Sequence, residues 1–312
     1  MIDPELAGII GVLPALDLSD PVAARAGFVA MLAGLRADIP GIETLEIEDR
    51  LVPSWEGDPD VAVRVYRPKE RTGTAPGVLL IHGGGFIIGS VDAEHGSAAM
   101  TAIQTGAVVV SVEYRLAPEH PFPAGLHDCY QALVFLAGAA DELGVDTSRL
   151  AVMGSSAGGG LAAGTALLAR DLGGPALCFQ MLTIPELDDR LQTPSMRAFV
   201  DSPMWNRPLA EISWRAYLGA DADPDNVSPY AAPSRATELA GLPPTYISTA
   251  ENDPLRDEGI LYALALLQAG VSVELHQFPG TFHGSALVAS AAITQRAQRE
   301  SVTVLQRALG VG

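Results

Sequence analysis

A serine stands at the centre of Gly-Ser-Ser-Ala-Gly in RLAVMGSSAGGGLAAG, residues 149–164. The motif follows an apolar run that reads as a buried strand and precedes a helix-forming stretch. A serine on such a sharp strand-to-helix turn lifts its hydroxyl clear of a sheet, which is the setting of a nucleophile. The turn leaves no room for side chains at Gly154 and Gly158, and the small Ala157 lets a substrate approach its N–H. Gly158, Gly159 and Gly160 open the helix, where each costs roughly 0.5–1 kcal/mol against alanine. A purely structural helix start would use capping residues instead. A phosphate-binding turn would need G-x-x-x-x-G-K-[ST] or G-x-G-x-x-G here, and neither is present. Ser156 is the expected nucleophile, and Ser155 is expected to hydrogen-bond within the turn.

A serine hydroxyl needs a base to take its proton, and the base needs an acid to orient it. The histidines are His82, His95, His120, His127, His276 and His283. In the strand–Ser–helix setting the chain order is Ser, then Asp or Glu, then His, with each partner on a loop after a strand. Only His276 and His283 follow the serine. His276 falls inside the alternating strand 271–278, on the face of Ser272 and Glu274, which reads as a solvated edge. His283 lies in PGTFHGS, a Gly/Pro-bounded loop after that strand, and is the expected base. The acid should leave the preceding strand, where TYISTAENDPLRDEG offers Glu251, Asp253 and Asp257. Asp253, fixed by Pro254 at the strand exit, is the expected acid. Asp257 suits a helix cap, and Glu251 suits support of the loop.

Acyl transfer also needs donors for the oxyanion of its tetrahedral intermediate, and backbone N–H groups supply them. GVLLIHGGGFIIG, residues 77–89, places His82 and three glycines at the end of an apolar strand. Glycines let the backbone turn its N–H groups outward, so Gly84, Gly85 and Ala157 are the expected donors. His82 has no Cys, His or Asp partners at ligand spacing, so no metal site is expected there.

These residues need a scaffold. Continuous apolar runs at 78–81, 107–112, 150–153, 177–183 and 245–249 suit strands buried on both faces of a parallel sheet. Helical stretches fall between them, at about 92–105, 127–140, 157–171 and 257–269, and a C-terminal helix at 285–309. Before them, TLEIEDRLVP and VAVRVYRP alternate as antiparallel strands exposed on one face do. The pattern implies a doubly wound α/β sheet flanked by helices. Residues 186–230 contain no strand but carry Phe199, Met204, Trp205 and Trp214. With the helical residues 1–42 they are expected to form a cap lining an apolar substrate pocket, leaving 43–185 and 231–312 as the two parts of the catalytic domain. For any one of these aromatics, core packing is an equal expectation.

The chain has 312 residues, with 37 acidic against 19 basic and a net charge of -18, which repels phosphate backbones and argues against nucleic acid and anionic membranes. Cys129 and Cys178 make no disulfide framework. No window is long and apolar enough to span a membrane, and the first residues lack the basic region of a signal peptide. A cytoplasmic location is expected.

HGGGF (82–86), YRLAPEHPFPA (114–124), GSSAGGGLA (154–162), DPLRDEG (253–259) and FHG (282–284) stand in the order and spacing of the hormone-sensitive-lipase-like esterases. PELDDR (185–190) and NVSPYAA (226–232) resemble further segments of that family of α/β-hydrolases. The resemblance covers most of the chain from about residue 43 onward. It implies the α/β-hydrolase fold with a helical cap and no cofactor. By it Ser156 is the nucleophile, Asp253 the acid and His283 the base; Gly84, Gly85 and Ala157 form the oxyanion hole, and His82 holds its loop. It also implies carboxylesterase activity on short and medium acyl chains, and homodimers, which many members form. One departure is Ser155, where many members have Asp. Two alternatives keep the fold: hydrolysis of an amide, formamide or acetyl ester of a specific metabolite, and a non-catalytic small-molecule receptor.

Overall fold

The computed structural model describes residues 1–11, 13, 16–34, 38–55 and 57–311. Among the described residues there are eight strands; the first three follow one another, and from the third onward strands alternate with helices. In order they are α1 (Pro4–Ile10), α2 (Pro21–Gly34), β1 (Leu45–Val52), β2 (Val61–Pro68), β3 (Ala75–Ile81), α3 (His95–Thr105), β4 (Val108–Glu113), α4 (Ala124–Gly138), α5 (Ala140–Leu143), β5 (Val145–Ser155), α6 (Ala157–Leu172), β6 (Phe179–Thr183), α7 (Pro194–Ala198), α8 (Arg207–Leu218), β7 (Thr245–Asn252), α9 (Arg256–Gln268), β8 (Val273–Phe282) and α10 (Ala292–Leu309).

The strands form one sheet in the order β1-β2-β4-β3-β5-β6-β7-β8. β1 pairs with β2, and β2 with β4, antiparallel; every later pairing is parallel. The uninterrupted apolar strands are the parallel ones because helices cover both faces. Val108, Val110 and Val112 of β4 pack with α4 and α6 on one face, and Val109 packs with α3 and α10 on the other. Residue alternation along a strand divides one run between two cores. The expected mostly parallel α/β sheet is what forms.

Several boundaries differ from expectation. Residues 1–42 hold α-helices only at 4–10 and 21–34 among the described residues, with a 3-10 turn starting at Ile42; residues 12, 14, 15 and 35–37 of that stretch lie outside them. The stretch at 127–140 starts earlier, at Ala124, and breaks at Ala139. The last stretch is one 3-10 turn at Ser285–Leu287, followed by α10. β8 runs on through Pro279 and Gly280 to Phe282, longer than expected, and His283 opens the turn directly after it. An edge strand tolerates proline because one side of it needs no ladder partner.

The segment between β6 and β7 carries α7 and α8. Met196, Trp205, Leu209 and Ala210 pack with Leu18 and Ala24 from the N-terminal stretch and with Ile87 and Ile88 after the three glycines. One apolar cluster therefore joins the N-terminal helices, the insertion and the glycine loop.

Candidate active site

Ser156 occupies the turn between β5 and α6, with φ 58° and ψ -125°. A non-glycine residue in that region is strained, and the surroundings hold it there. Its N–H donates to the Thr183 carbonyl at 2.9 Å, and its carbonyl accepts from Gly160 and Glu186 at 3.1 and 3.0 Å. Gly158 is required by close approach: a Cβ there would stand 2.2 Å from the Ile81 carbonyl oxygen and 2.4 Å from that of His82. β3 and the start of α6 thus touch backbone to backbone, which brings the glycine loop beside the serine.

Ser156 Oγ lies 3.0 Å from His283 Nε2, and His283 Nδ1 lies 2.8 Å from Asp253 Oδ2. Asp253 is fully buried, and its second oxygen accepts from the Leu255 N–H at 2.9 Å. An Nδ1–H donated to the carboxylate leaves Nε2 to accept from the serine, the tautomer that can take a proton. Three side chains from three different strand ends meet in one hydrogen-bonded line. Glu251 sits beside them: its Oε2 accepts from the Gly280 N–H at 2.6 Å and so holds the last bend of β8 before His283. Asp257 does not join the line. It accepts from the Ser195 N–H at 2.7 Å and ties α7 to α9. His276 lies 3.0 Å from the Glu274 carboxylate and 2.8 Å from that of Glu300 on the sheet edge.

Gly84 and Gly85 follow with φ of 125° and 55°. Their N–H groups donate to no group among the described residues, whereas the Gly84 carbonyl accepts from Ile87 and Ile88 at 3.1 and 3.0 Å. Ala157 is the first residue of α6, so its N–H is among those a helix cannot satisfy itself. The helix dipole also favours negative charge at that end. A Cβ on Gly85 would stand 2.5 Å from the Trp205 ring, so this position needs glycine for space and for its backbone angle. His82 is buried, stacked on Tyr114 with ring centroids 4.1 Å apart, and its Nδ1 lies 2.9 Å from the Gly83 carbonyl. Among the described residues its ring makes no hydrogen bond to Ser156, His283 or Asp253.

The expected pocket residues separate. Trp205 lies over His283, ring centroids 5.7 Å apart. Met204 packs beside Gly284, Leu6 and Phe282. Trp214 is core, packed against Phe86 and Tyr217. Phe199 sits under the Arg256 guanidinium, 5.6 Å away, at the start of α9. The Ser155 hydroxyl, expected to bond within the turn, makes no hydrogen bond among the described residues.

Sequence reasoning missed Glu186 and Ser213. Ser213 Oγ lies 3.0 Å from the Gly85 carbonyl oxygen and 3.0 Å from Glu186 Oε1. The available signal was a serine on the buried face of α8, otherwise built from Leu209, Ala210, Trp214 and Tyr217.

A family model described as alpha/beta hydrolase fold matches residues 78–287. The chain belongs to the α/β-hydrolase family. Within it, the chain is 42% identical over 284 residues to the carboxylesterase NlhH of Mycobacterium tuberculosis, covering 90% of this chain and 88% of that one. It is 34% identical over 259 residues to an ethyl acetate hydrolase of Pseudomonas putida, covering 81% and 78%. A solved bacterial heroin esterase superposes with a TM-score of 0.96 at 54% identity, covering 99% of this chain and 98% of that one. The resemblance to hormone-sensitive-lipase-like esterases is borne out. Among the described residues no group of His, Cys, Asp and Glu could hold a metal, and no helix is long and apolar enough to cross a membrane.

Proposed function

We propose that this carboxylic ester hydrolase cleaves short- to medium-chain acyl esters through an acyl-enzyme intermediate. Ser156 attacks the ester carbonyl while His283 Nε2 takes its proton, and Asp253 stabilises the imidazolium that forms. The N–H groups of Gly84, Gly85 and Ala157 receive the oxyanion. His283 then gives the proton to the departing alkoxide, and water repeats the sequence on the acyl-enzyme. The observation that carries this reading is the hydrogen-bonded line Ser156–His283–Asp253 at the helix start, at 3.0 and 2.8 Å. An intact line also speaks against a non-catalytic receptor, which has no need of a base aligned on a strained serine.

Residues 1–42 and 186–230 form the cap in this reading, over a catalytic domain of 43–185 and 231–312. Trp205 and Met204, beside His283 and Gly284, give the acyl or alcohol group an apolar wall. A bulky wall this near the serine favours short chains, in keeping with the substrate named for the Pseudomonas putida relative. The test is a panel of p-nitrophenyl esters from acetate to palmitate. Turnover is expected to peak at or below octanoate and to fall on the order of a million-fold in Ser156→Ala. A maximum at palmitate would overturn the chain-length reading, and wild-type turnover in Ser156→Ala would overturn the mechanism.

A cytoplasmic location accords with two unpaired cysteines. A homodimer accords with edge strand β8 and with Leu261, Leu264 and Leu267, each about half exposed along α9. Light scattering is expected to give the mass of two chains; the mass of one would count against it.

A further inference from the structure

Glu186 sits directly behind the nucleophile and has no part in the chemistry above. Its N–H donates to the Ser156 carbonyl, and its side chain is fully buried. Its Oε1 is 3.0 Å from Ser213 Oγ, and that same Oγ is 3.0 Å from the Gly85 carbonyl oxygen. A count of protons decides what this means. The Gly85 carbonyl can only accept, and the Ser213 hydroxyl has a single proton. If Ser213 gives that proton to Gly85, its contact with Glu186 is a hydrogen bond only when Glu186 carries a proton of its own and donates it. An ionised Glu186 would instead draw the Ser213 proton to itself, since a charged acceptor makes the stronger bond. The Gly85 carbonyl would then lose its donor.

The surroundings favour the protonated form. The titratable groups acting on Glu186 or acted on by it are Asp253 after β7, Glu258 on α9, Tyr217 on α8 and Tyr114 after β4. None of them is a cation. The second oxygen of Glu186, Oε2, has no hydrogen-bond partner among the described residues, and an unpaired buried carboxylate is costly. Burial pushes the Glu186 pKa up to about 8, with the Ser213 hydroxyl opposing the shift and the Asp253 charge adding to it.

We infer that Glu186 is a positioning residue for the hydrolysis: protonated, it holds Ser213, and Ser213 holds the Gly85 carbonyl, so the oxyanion loop keeps its shape only while Glu186 keeps its proton. Gly85 has no side chain to restrict its backbone, which is why a donor from α8 matters there. The relay also joins the insertion to the catalytic machinery, because Ser213 lies on α8 while Glu186 and Gly85 follow β6 and β3. This inference rests on the esterase reading above and on its oxyanion loop.

The experiment is the pH profile of kcat and KM on p-nitrophenyl butyrate for wild type, Glu186→Gln and Ser213→Ala. Wild-type kcat is expected to fall as pH rises through about 8. Glu186→Gln keeps an N–H toward Ser213 at every pH, so its alkaline fall should disappear while its neutral kcat stays near wild type. Ser213→Ala should lose roughly tenfold in kcat at neutral pH, the scale of one hydrogen bond, with little change in KM and no alkaline fall of its own. A Glu186→Gln profile that falls where wild type falls, or Ser213→Ala turning over at the wild-type rate, overturns the relay. If Glu186→Gln does not fold, Ser213→Ala decides alone. Wild type that hydrolyses no ester would overturn the esterase reading itself and this inference with it.

Discussion

His82 is a neutral ring in the folded protein, because complete burial pushes its pKa down to about 4. It stacks on Tyr114, whose hydroxyl donates to the His82 carbonyl at 3.1 Å. A Cβ on Gly89 would stand 2.3 Å from its Nδ1, so the loop closes tightly around the ring. Its work is to fill that space and carry the strand into the glycines. His82→Ala is expected to lose about 2–4 kcal/mol of stability, as other large-to-small core changes do, with a modest fall in kcat. His283→Ala is expected to fall on the order of a million-fold. Thermal melts and steady-state kinetics on both variants check this; comparable losses of kcat would return His82 to the chemistry. At this scale the serine was legible because its motif is local, and the histidine because chain order leaves few rivals. Glu186 and Ser213 were not legible. Their meaning lies in a contact between residues 27 apart in sequence, and with a carbonyl 128 residues away, and no local spacing encodes that.

The elements around the loop are fastened by one guanidinium. Arg25 on α2 donates to the Ile87 and Ala117 carbonyls at 2.8 and 3.0 Å and forks onto Glu119 at 2.8 and 2.7 Å. Ile87 stands two residues after the last of the three glycines, so the N-terminal helix is tied to the oxyanion loop's far end. Arg25→Ala is expected to cost about 1–2 kcal/mol, since the carboxylate half of the fork is exposed and screened. KM should rise severalfold as α2 loosens, and added salt should weaken wild type only partly because the two carbonyl bonds are not ionic pairs. Melting and KM measured at low and high salt test this; an unchanged KM in the variant would separate α2 from the site. The strands themselves were readable from apolar runs, but their ends were not. Pro279-Gly280 reads as a turn, yet β8 continues past it. Ala250 pairs with Phe278 and Asn252 with Phe282, so the extra residues of β8 form a bulge. Glu251 and the Asp3 N–H, which donates to the Gly280 carbonyl at 3.0 Å, pin that bulge from two sides. Those partners are distant in sequence, so the bulge could not be read from it.

Over the whole molecule, the same buried acids set how stability responds to pH. An ordinary glutamate titrates at 4.5, while Glu186 holds its proton to about 8; burial also raises Glu258 well above 4.5. Between those values the unfolded chain has released protons that the native state still binds. Stability therefore falls as pH rises through that window. The opposite sign applies at the acid end. Arg25 holds Glu119 at about 2, so what that pair contributes is present above 4.5 and is lost as pH falls through 2. The net charge of -18 also disfavours the compact state as carboxylates ionise, but surface repulsion is screened by salt and buried carboxyls are not. Melting temperature is thus expected to decline from mildly acidic to alkaline pH, and to go on declining in high salt. Glu186→Gln should flatten the decline and melt higher than wild type above pH 8, because an amide has no proton to lose. Thermal unfolding of both proteins across pH, at two salt concentrations, reads this directly. Parallel curves for the two would mean that the carboxyl behind the nucleophile is already ionised at neutral pH.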